Sequence, residues 1–367
     1  MLELSNIKLF EPTKQERLIS ILKSFGISIS GLELIESRFF DIFNLKLSQG
    51  VKSSKIDKVL TEIGLEFESQ STPRGYPVMK EGVYRIELQH SKIECPDLTE
   101  FLEEAEDDMF TPIVLGTDSF GKKIIKDLNK LPNLLVGGTT GSGKSVVLHN
   151  FILSLIYCGA EIFLVDPKMV EFSSYEDVPE VKRIVSFLDE FEETLSFLTD
   201  LMQIRFKLLK ETKSRNVHEF NKKRGKSLEK LKPLVLVIDE WADIVLQNPK
   251  IQKPLCYLAQ KGRAAGISII LATQRPSANV VSGLIKANFP GRIALKVASA
   301  IDSRVILDTT GAEDINDPGV GLYLDGSISE PILFKSPYIE NLEEKMCELD
   351  IDKKEEENLW QKIQNLL

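Results

Sequence analysis

Short apolar runs alternate with longer segments of mixed polarity between residues 133 and 297. The five runs read NLLVG, EIFLVD, LVLVID, SIILAT and RIALKV. Such uniformly apolar runs are typical of strands in a parallel sheet that is covered on both faces, and the segments between them have helical spacing. The pattern predicts an α/β domain with a mainly parallel central sheet. Four of the runs lead directly into polar residues, which should converge on one site because ligands of such sheets bind at the carboxyl ends of the strands.

The first third of the chain has a different pattern. A helical segment, KQERLISILKSFGI, is followed by β-like runs such as FFDIFNLKL and GVYRIELQ, bounded by glycine and proline. This mixture predicts a small α+β domain. The segment CPDLTEFLEEAEDDMFTPIVLG is acidic and then apolar, which places a boundary near residue 110. We therefore expect a small α+β domain at 1–110, a P-loop type α/β domain at 111–338 and a charged helical tail at 339–367.

Composition and charge narrow the classes of protein. The net charge is −9, so a nucleic-acid partner would need basic residues concentrated in one place. The four cysteines are far apart and lack CxxC spacing, which predicts reduced thiols, no disulfide and no zinc site. The N-terminal segment lacks the order of a signal peptide, and the apolar stretch 151–165 is shorter than the roughly 20 residues of a spanning helix. We expect a cytoplasmic protein without membrane insertion.

The segment GGTTGSGKSV (137–146) contains a phosphate-binding motif. Its glycines, Lys144 and Ser145 fit G-x-x-x-x-G-K-[ST], between the strand NLLVG and the amphipathic segment KSVVLHNFILSLIY. The glycines let backbone N–H groups face the phosphates, Lys144 reaches the β- and γ-phosphates, and Ser145 is a ligand for Mg²⁺. The predicted nucleotide-binding residues are Gly138, Thr139, Thr140, Gly141, Ser142, Gly143, Lys144, Ser145 and Val146.

A pair of acids follows the apolar run at 234–238. Asp239 is suited to hold the Mg²⁺ shell, and Glu240 is suited to polarise the water that attacks the γ-phosphate. Adjacent acids at a strand end would be costly without a metal. Simple GTPase switches usually lack such a glutamate and carry a base-specificity motif that this sequence does not have. The pair therefore predicts hydrolysis, with ATP and Mg²⁺ bound.

Two further residues complete the predicted catalytic set. Gln274 stands at the end of the run ISIILAT, where its amide can contact the γ-phosphate and act as a sensor. Arg263 precedes that run, too far along the fold to reach its own nucleotide but suited to reach that of a neighbouring subunit. Such an arginine finger makes hydrolysis depend on assembly. The simpler interpretations are a polar strand end and a surface arginine.

Several linked segments carry a resemblance to a known family. GTTGSGKSV, DPKMVEFSSYEDVP, IDEWAD, the stretch from LAQKGRAAG to RIALKV, and IDSRVILDTTGAEDI resemble the motor of the FtsK/SpoIIIE DNA translocases. The resemblance covers about residues 15–335, which includes that family's smaller α domain and its RecA-like β domain. It implies a homohexameric ring that pulls double-stranded DNA through its channel using ATP. By position it assigns the Walker B acids to Asp239 and Glu240, the sensor to Gln274 and the arginine finger to Arg263.

The same resemblance implies DNA contacts. The DNA-facing residues of the family lie around TQRPS, LIKAN and IDSR, which here gives Arg275, Lys286 and Arg304. These contacts should be to phosphates, because a motor must step over every sequence. Two positions depart from the family pattern. Ala300 stands where a lysine is usual, so one phosphate contact is lost or moved, and Trp241 replaces a phenylalanine or leucine, which is a packing variation.

The resemblance also leads us to expect a stripped motor. No segment here matches the family's membrane part, and residues 339–367 are too few for its winged-helix domain. We therefore expect a mobile-element or accessory translocase, with loading or direction set by a separate protein, in preference to a role in septal chromosome segregation.

Two alternatives stay open. A nucleotide-gated assembly module would bind DNA or a partner protein without processive movement, and loss of Glu240 or Arg263 would have favoured it, but both are present. A motor for single strands or for a protein substrate is also compatible, because pore residues that bind backbone charge do not identify the polymer.

Overall fold

Two separate β-sheets organise the chain. The computed structural model describes residues 12–69, 71–90, 95–105, 108–224 and 230–349. One unit lies within Met1–Glu94 and Ser119–Gly121, and the other within Cys95–Asp118 and Lys122–Leu367. Each unit has its own sheet and its own buried apolar core.

The first unit contains an antiparallel sheet with three helices. Its elements are α1 (Lys14–Ser24), β1 (Ile29–Glu36), β2 (Phe40–Leu47), α2 (Ser54–Asp57), α3 (Leu60–Glu66), β3 (Arg74–Val78) and β4 (Val83–Gln89). The strand order is β1-β2-β4-β3, and all neighbours are antiparallel. Helix α1 begins at a capping box formed by Thr13 and Glu16. Its buried Leu18 and Leu22 belong to the same apolar core as Phe43 of β2.

The second unit alternates strands and helices. Its elements in chain order are α4 (Leu98–Glu103), β5 (Pro112–Asp118), β6 (Lys123–Asp127), β7 (Asn133–Gly137), α5 (Lys144–Tyr157), β8 (Glu161–Val165), β9 (Val181–Val185), α6 (Leu188–Glu211), α7 (Val217–Arg224), β10 (Leu234–Ile238), α8 (Trp241–Gln247), α9 (Gln252–Lys261), β11 (Ile267–Thr273), α10 (Gly283–Asn288), β12 (Gly291–Ala294), α11 (Ala300–Leu307), β13 (Val320–Leu324), β14 (Ile332–Lys335) and α12 (Leu342–Glu348).

Parallel strands form the larger part of the second sheet and run to its edge at β9, in the order β12-β7-β11-β10-β8-β9. Beyond β12, the strands β13, β14, β5 and β6 continue the sheet through antiparallel pairs. Every residue of β7, β10 and β11 is buried, which explains their uniformly apolar sequences. The five predicted runs form β7, β8, β10, β11 and β12, so the predicted fold class, a mainly parallel α/β sheet preceded by a small α+β part, is confirmed.

Helix α5 differs from the amphipathic helix that the sequence predicts. Ten of its 14 residues are buried, because it packs against β5, β8 and α4. Its Asn150 donates from Nδ2 to Ser336 Oγ at 3.0 Å and to the Pro337 carbonyl at 2.8 Å. The Ser154 hydroxyl donates to the Asn150 carbonyl at 2.6 Å. These hydrogen bonds allow polar side chains to lie in the interior.

The predicted C-terminal tail is described in part. Residues Leu342–Glu348 form α12, whereas residues 350–367 of the predicted tail lie outside the described residues. Lys345 of α12 donates to Asp97 Oδ1 at 2.9 Å. Among the helices of the described ranges, none is both long enough and apolar enough to cross a lipid bilayer.

Gly116 provides a test of the pairing between β5 and β14. Its φ is 135°, and a Cβ atom there would lie 1.9 Å from the Lys335 carbonyl oxygen. We expect Gly116→Ala to lower the free energy of unfolding by about 3 kcal/mol or more, because it combines backbone strain with a clash against another strand. Urea unfolding followed by circular dichroism measures the change.

Gly159→Ala is the matched control. Gly159 also has a positive φ, 71°, but no atom lies within 4 Å of the added Cβ. It should lose only about 1–2 kcal/mol, the cost of a left-handed conformation. Equal losses in the two variants would contradict the role given to the β5–β14 contact.

Candidate active site

The loop at residues 138–143 joins β7 to α5 and has a fixed backbone. Gly143 precedes α5 at a φ of 89°, and a Cβ atom there would lie 2.5 Å from the Gly319 nitrogen, so only glycine fits. The Thr139 N–H donates to the Lys296 carbonyl at 2.8 Å, and the Gly319 N–H donates to the Ser142 carbonyl at 2.9 Å. The loop thus places backbone N–H groups at the start of a 14-residue helix, a geometry that suits phosphate. This loop and the first turn of α5 contain Gly138, Thr139, Thr140, Gly141, Ser142, Gly143, Lys144, Ser145 and Val146.

Lys144 and Asp239 form a buried ion pair. The Lys144 Nζ donates to the Asp239 carboxylate and, at 3.1 Å, to the Asp239 carbonyl oxygen. The side chains are 3% and 1% exposed. Removing either partner would leave an uncompensated buried charge, so the pair fixes both groups. The structure therefore brings the predicted phosphate-binding lysine into contact with the predicted metal ligand.

The donor groups at this point suit Mg²⁺. Asp239 comes directly after β10 and has a carboxylate group. Ser145 lies in the first turn of α5 and has a half-buried hydroxyl side chain. Mg²⁺ prefers oxygen ligands and in nucleotide sites is bound through one or two carboxylates together with the substrate phosphates. Asp239 and Ser145 are thus of the right chemical type for the predicted metal site.

The carboxylate of Glu240 is held by the end of β11. Its Oε1 accepts the Thr273 hydroxyl at 2.7 Å, and both oxygens accept the Gln274 N–H, at 3.2 and 3.1 Å. A longer bond of 3.4 Å from the Ala242 N–H places Glu240 at the N-cap of α8. Only 2% of Glu240 is exposed. These donors stabilise a buried carboxylate and fix its orientation.

Lys168 is a site residue to which the sequence analysis assigned no role. Its Nζ lies 3.8 Å from Glu240 Oε2 and 3.7 Å from Asp243 Oδ2. Asp166 fixes the loop that carries it, accepting backbone N–H groups of Lys168, Val170, Glu171 and Phe172 at 2.8–3.2 Å. Lys168 stands two residues after the apolar run EIFLVD, with Pro167 between them. The rule that strand ends converge on the site was the signal that could have found it.

Gln274 links the loop at residues 138–143 to Glu240. Its Oε1 accepts the Thr140 hydroxyl at 2.9 Å, while its backbone N–H donates to Glu240. The Gln274 side chain therefore contacts the loop that is predicted to bind phosphate. The structure thus brings Lys144, Asp239, Glu240 and Gln274 together at one edge of the sheet.

Arg263 lies at the opposite edge of the sheet. It belongs to a short 3₁₀ turn, Gly262–Ala265, immediately before β11, and its Nε donates to the Asn129 carbonyl at 3.1 Å. The side chain is exposed. Because β11 has seven residues and each advances about 3.3 Å, Arg263 stands roughly 20 Å from the phosphate-loop end of the strand. It is therefore not part of this chain's own site.

Two of the three predicted DNA contacts lie side by side. Lys286 of α10 donates from Nζ to the Arg304 carbonyl at 3.2 Å and to Asp308 Oδ1 at 2.7 Å. Asp308 also pairs with Arg292. Burial opposes ionisation of Asp308, but hydrogen bonds from Lys286 and Arg292 outweigh it and hold the pKa of Asp308 below its ordinary value. Arg275 is exposed directly after Gln274, and its N–H donates to the Thr273 hydroxyl at 3.2 Å.

Comparisons with known proteins show to which family this chain is similar. Residues 102–278 match the FtsK/SpoIIIE family. The DNA translocase FtsK of Clostridium tetani is 36% identical over 351 residues, covering 91% of this chain and 47% of that protein. The DNA translocase FtsK of Haemophilus influenzae is 35% identical over 359 residues, covering 88% of this chain and 68% of that protein. The chain thus spans about half to two thirds of the length of these relatives.

A solved structure is similar over nearly the whole chain. The pCW3 conjugation coupling protein TcpA, in its monomer form with ATPγS, superposes with a TM-score of 0.66 and 26% identity, covering 92% of this chain and 99% of that one. That protein was solved with an ATP analogue.

Thr273 tests the assignment of Glu240. We expect Thr273→Val, which keeps the side-chain shape but removes the hydroxyl, to lower ATP turnover about 10- to 100-fold, because a hydrogen bond to a charged group is worth roughly 1.5–3 kcal/mol. Binding of a fluorescent ATP analogue should be unchanged, since the lost hydroxyl contacts Glu240, whereas the backbone carbonyl of residue 273, which accepts the Gly138 N–H of the loop at 3.2 Å, is retained. Steady-state hydrolysis and fluorescence titration measure the two effects.

Ser268→Ala is the control on the same strand. Its hydroxyl is buried at the amino end of β11 and donates to the Leu128 carbonyl at 3.4 Å, far from Glu240. Turnover in this variant should stay within about twofold of normal, as expected for a weak neutral bond that does not touch the site. Equal losses in both variants would argue against a positioning role for Thr273.

His149 makes this part of the fold sensitive to acid. Burial lowers the pKa of His149 to about 4, with Asp239 opposing the shift and Lys144 adding to it. In the unfolded chain the pKa of histidine is about 6.5. The stabilisation by neutral His149 is therefore complete above pH 6.5 and is lost as the pH falls towards 4, by up to about 3 kcal/mol. In His149→Gln, urea unfolding at pH 7.5 and pH 5 should differ less than in the unsubstituted protein, and an unchanged difference would refute this.

Proposed function

The chain belongs to the FtsK/SpoIIIE family, and we propose that it hydrolyses ATP to move double-stranded DNA through a ring of identical subunits. The observation that carries the proposal is the position of Glu240, which Thr273 and Gln274 hold at the sheet edge that bears the phosphate loop. A buried carboxylate held at this point is what the activation of an attacking water requires.

Each residue of the site has a chemical task in this proposal. The loop N–H groups and Lys144 bind the phosphates, so that phosphate oxygens share the ammonium group that Asp239 contacts. Asp239 and Ser145 hold Mg²⁺, which when bound neutralises charge on the β- and γ-phosphates. Glu240 orients the attacking water and accepts its proton, and Gln274 contacts the γ-phosphate from the Thr140 side.

The position of Arg263 is the reason why we propose an assembly of subunits. Arg263 lies at the amino end of β11. It can contact a nucleotide only if the nucleotide is bound at the carboxyl ends of the strands of another copy of the chain. An arginine supplied in trans stabilises the charge of the transition state and is worth about 10³–10⁵ in turnover. Hydrolysis then requires neighbouring subunits, and a homohexameric ring is the closed arrangement we propose.

The DNA contacts are proposed at Arg275, Lys286 and Arg304. Lys286 and Arg304 are adjacent in space. Lys286 also forms an ion pair with Asp308, whose side chain is 60% exposed. Exposed pairs contribute little free energy, so a phosphate group can replace Asp308 as the partner of Lys286. Such contacts read no sequence, so we propose that a separate protein sets loading or direction, and that the chain acts in the cytoplasm where its DNA and ATP are found.

The first test is ATP hydrolysis with and without long linear duplex DNA. We expect strong stimulation by duplex that weakens as salt rises, because phosphate contacts release counterions. Lys144→Ala should abolish turnover by removing phosphate binding, and Arg263→Ala should lower it at least about 10³-fold while leaving ATP binding intact.

Lys250→Ala, which removes an exposed lysine from the connection between α8 and α9, is the control and should behave normally. Turnover indifferent to duplex DNA would refute the translocase and favour a nucleotide-gated module that binds a partner without movement. Stimulation by single strands alone would replace duplex DNA as the proposed polymer.

A further inference from the structure

Arg205 is a buried arginine in the C-terminal third of α6 that contacts the segments before two strands. It is 4% exposed. Its Nη1 donates to the Ala265 carbonyl at 2.8 Å, and its Nη2 donates to the Lys232 carbonyl at 2.8 Å. Ala265 lies in the turn before β11, and Lys232 lies two residues before β10. One guanidinium group therefore ties together the amino ends of two adjacent parallel strands.

Burial of the Arg205 charge costs desolvation free energy. Removal from water lowers the pKa of Arg205 to about 10, with Glu161 opposing the shift. Within the described part of the chain, Nε has no hydrogen-bond partner. A guanidinium group offers five donors in a rigid fork, which an apolar side chain of similar volume does not. Because both of its acceptors are backbone carbonyls, of Ala265 and Lys232, we infer that Arg205 holds the backbone at these two residues in place.

The turn that Arg205 contacts is the turn that carries Arg263. The Gly266 N–H donates to the Arg263 carbonyl at 3.1 Å, and the Gly266 carbonyl accepts the Leu234 N–H at 2.8 Å. Gly266 has a φ of 70°, and a Cβ atom there would lie 3.4 Å from Arg205 Nη1. The turn is thus closed by Gly266, attached to β10 and held by Arg205. These contacts fix the backbone from which the exposed Arg263 side chain extends.

We propose that Arg205 is a positioning residue for Arg263 and acts through it on the active site of the neighbouring subunit. The proposal rests on the trans role given to Arg263 above. A catalytic side chain misplaced by 1 Å can cost about 10²-fold in rate. Without Arg205, the Ala265 and Lys232 carbonyls lose their donors and the turn relaxes. The defect should appear in the neighbour's site, whereas the loop and acids of the same chain stay intact.

Subunit mixing separates this role from a merely structural one. Arg205→Met alone should hydrolyse ATP at least about 100-fold more slowly with long linear duplex DNA, with ATP binding and KM nearly unchanged. Lys144→Ala alone is inactive but has an intact Arg263. In mixed rings, Lys144→Ala subunits supply a well-placed Arg263 to the intact sites of Arg205→Met subunits. We expect the mixture to hydrolyse ATP several-fold faster than the sum of the two separate proteins.

Three further proteins complete the experiment. Lys207→Met, which changes an exposed cation of the same helix, should hydrolyse ATP normally. Arg205→Lys keeps the charge and is used in the same mixture in case the methionine variant does not fold. Arg263→Ala mixed with Lys144→Ala should show the same recovery, because it removes the finger directly.

The outcomes distinguish the two proposals. Recovery in the Arg263→Ala mixture without recovery in either Arg205 mixture overturns the positioning role alone. No recovery in the Arg263→Ala mixture overturns the trans role of Arg263, and the role of Arg205 with it. A raised KM for ATP in Arg205→Met alone would place its effect in its own subunit and would also overturn the proposal.

Discussion

The pairing of β11 between β7 and β10 is the constraint on which the site depends. Thr273 is opposite Gly137, the last residue before the phosphate loop, and Leu271 is opposite Ile238, the last residue of β10. This register places the end of β11 level with both the loop and the acids. Because parallel strands share one direction, all three ends meet at one edge, and the hydroxyl of Thr273 reaches Glu240.

The charged side chains at this edge of the sheet lie close to side chains of opposite charge. Lys144 contacts Asp239, and Lys168 lies near Glu240, while backbone N–H groups provide the remaining donors. Buried charges without partners would cost several kcal/mol each, so the same contacts that make the site stable also fix the groups to which we assign phosphate binding and activation of water. Stability and chemistry are therefore set by one network.

The direction of the sheet also bears on the trans role that we propose for Arg263. The loop at residues 138–143 follows the carboxyl end of β7, whereas Arg263 lies in the turn before the amino end of the parallel neighbour β11. The length of a strand keeps them apart in one subunit. In the proposed ring, dependence on a second copy would follow from strand polarity, and Arg205 would position Arg263 without contacting the site of its own chain.

The amino-acid sequence by itself determined the central strands, the α/β class and the phosphate loop, because strand periodicity and glycine conformation are local properties. It also indicated Glu240 and Gln274 by their places after apolar runs. Only the tertiary structure decided that α5 is buried on most sides, that Lys168 approaches Glu240, and that Lys286 pairs with Asp308. Each of these depends on contacts between residues at least 22 positions apart or on packing between separate elements, which no local pattern encodes.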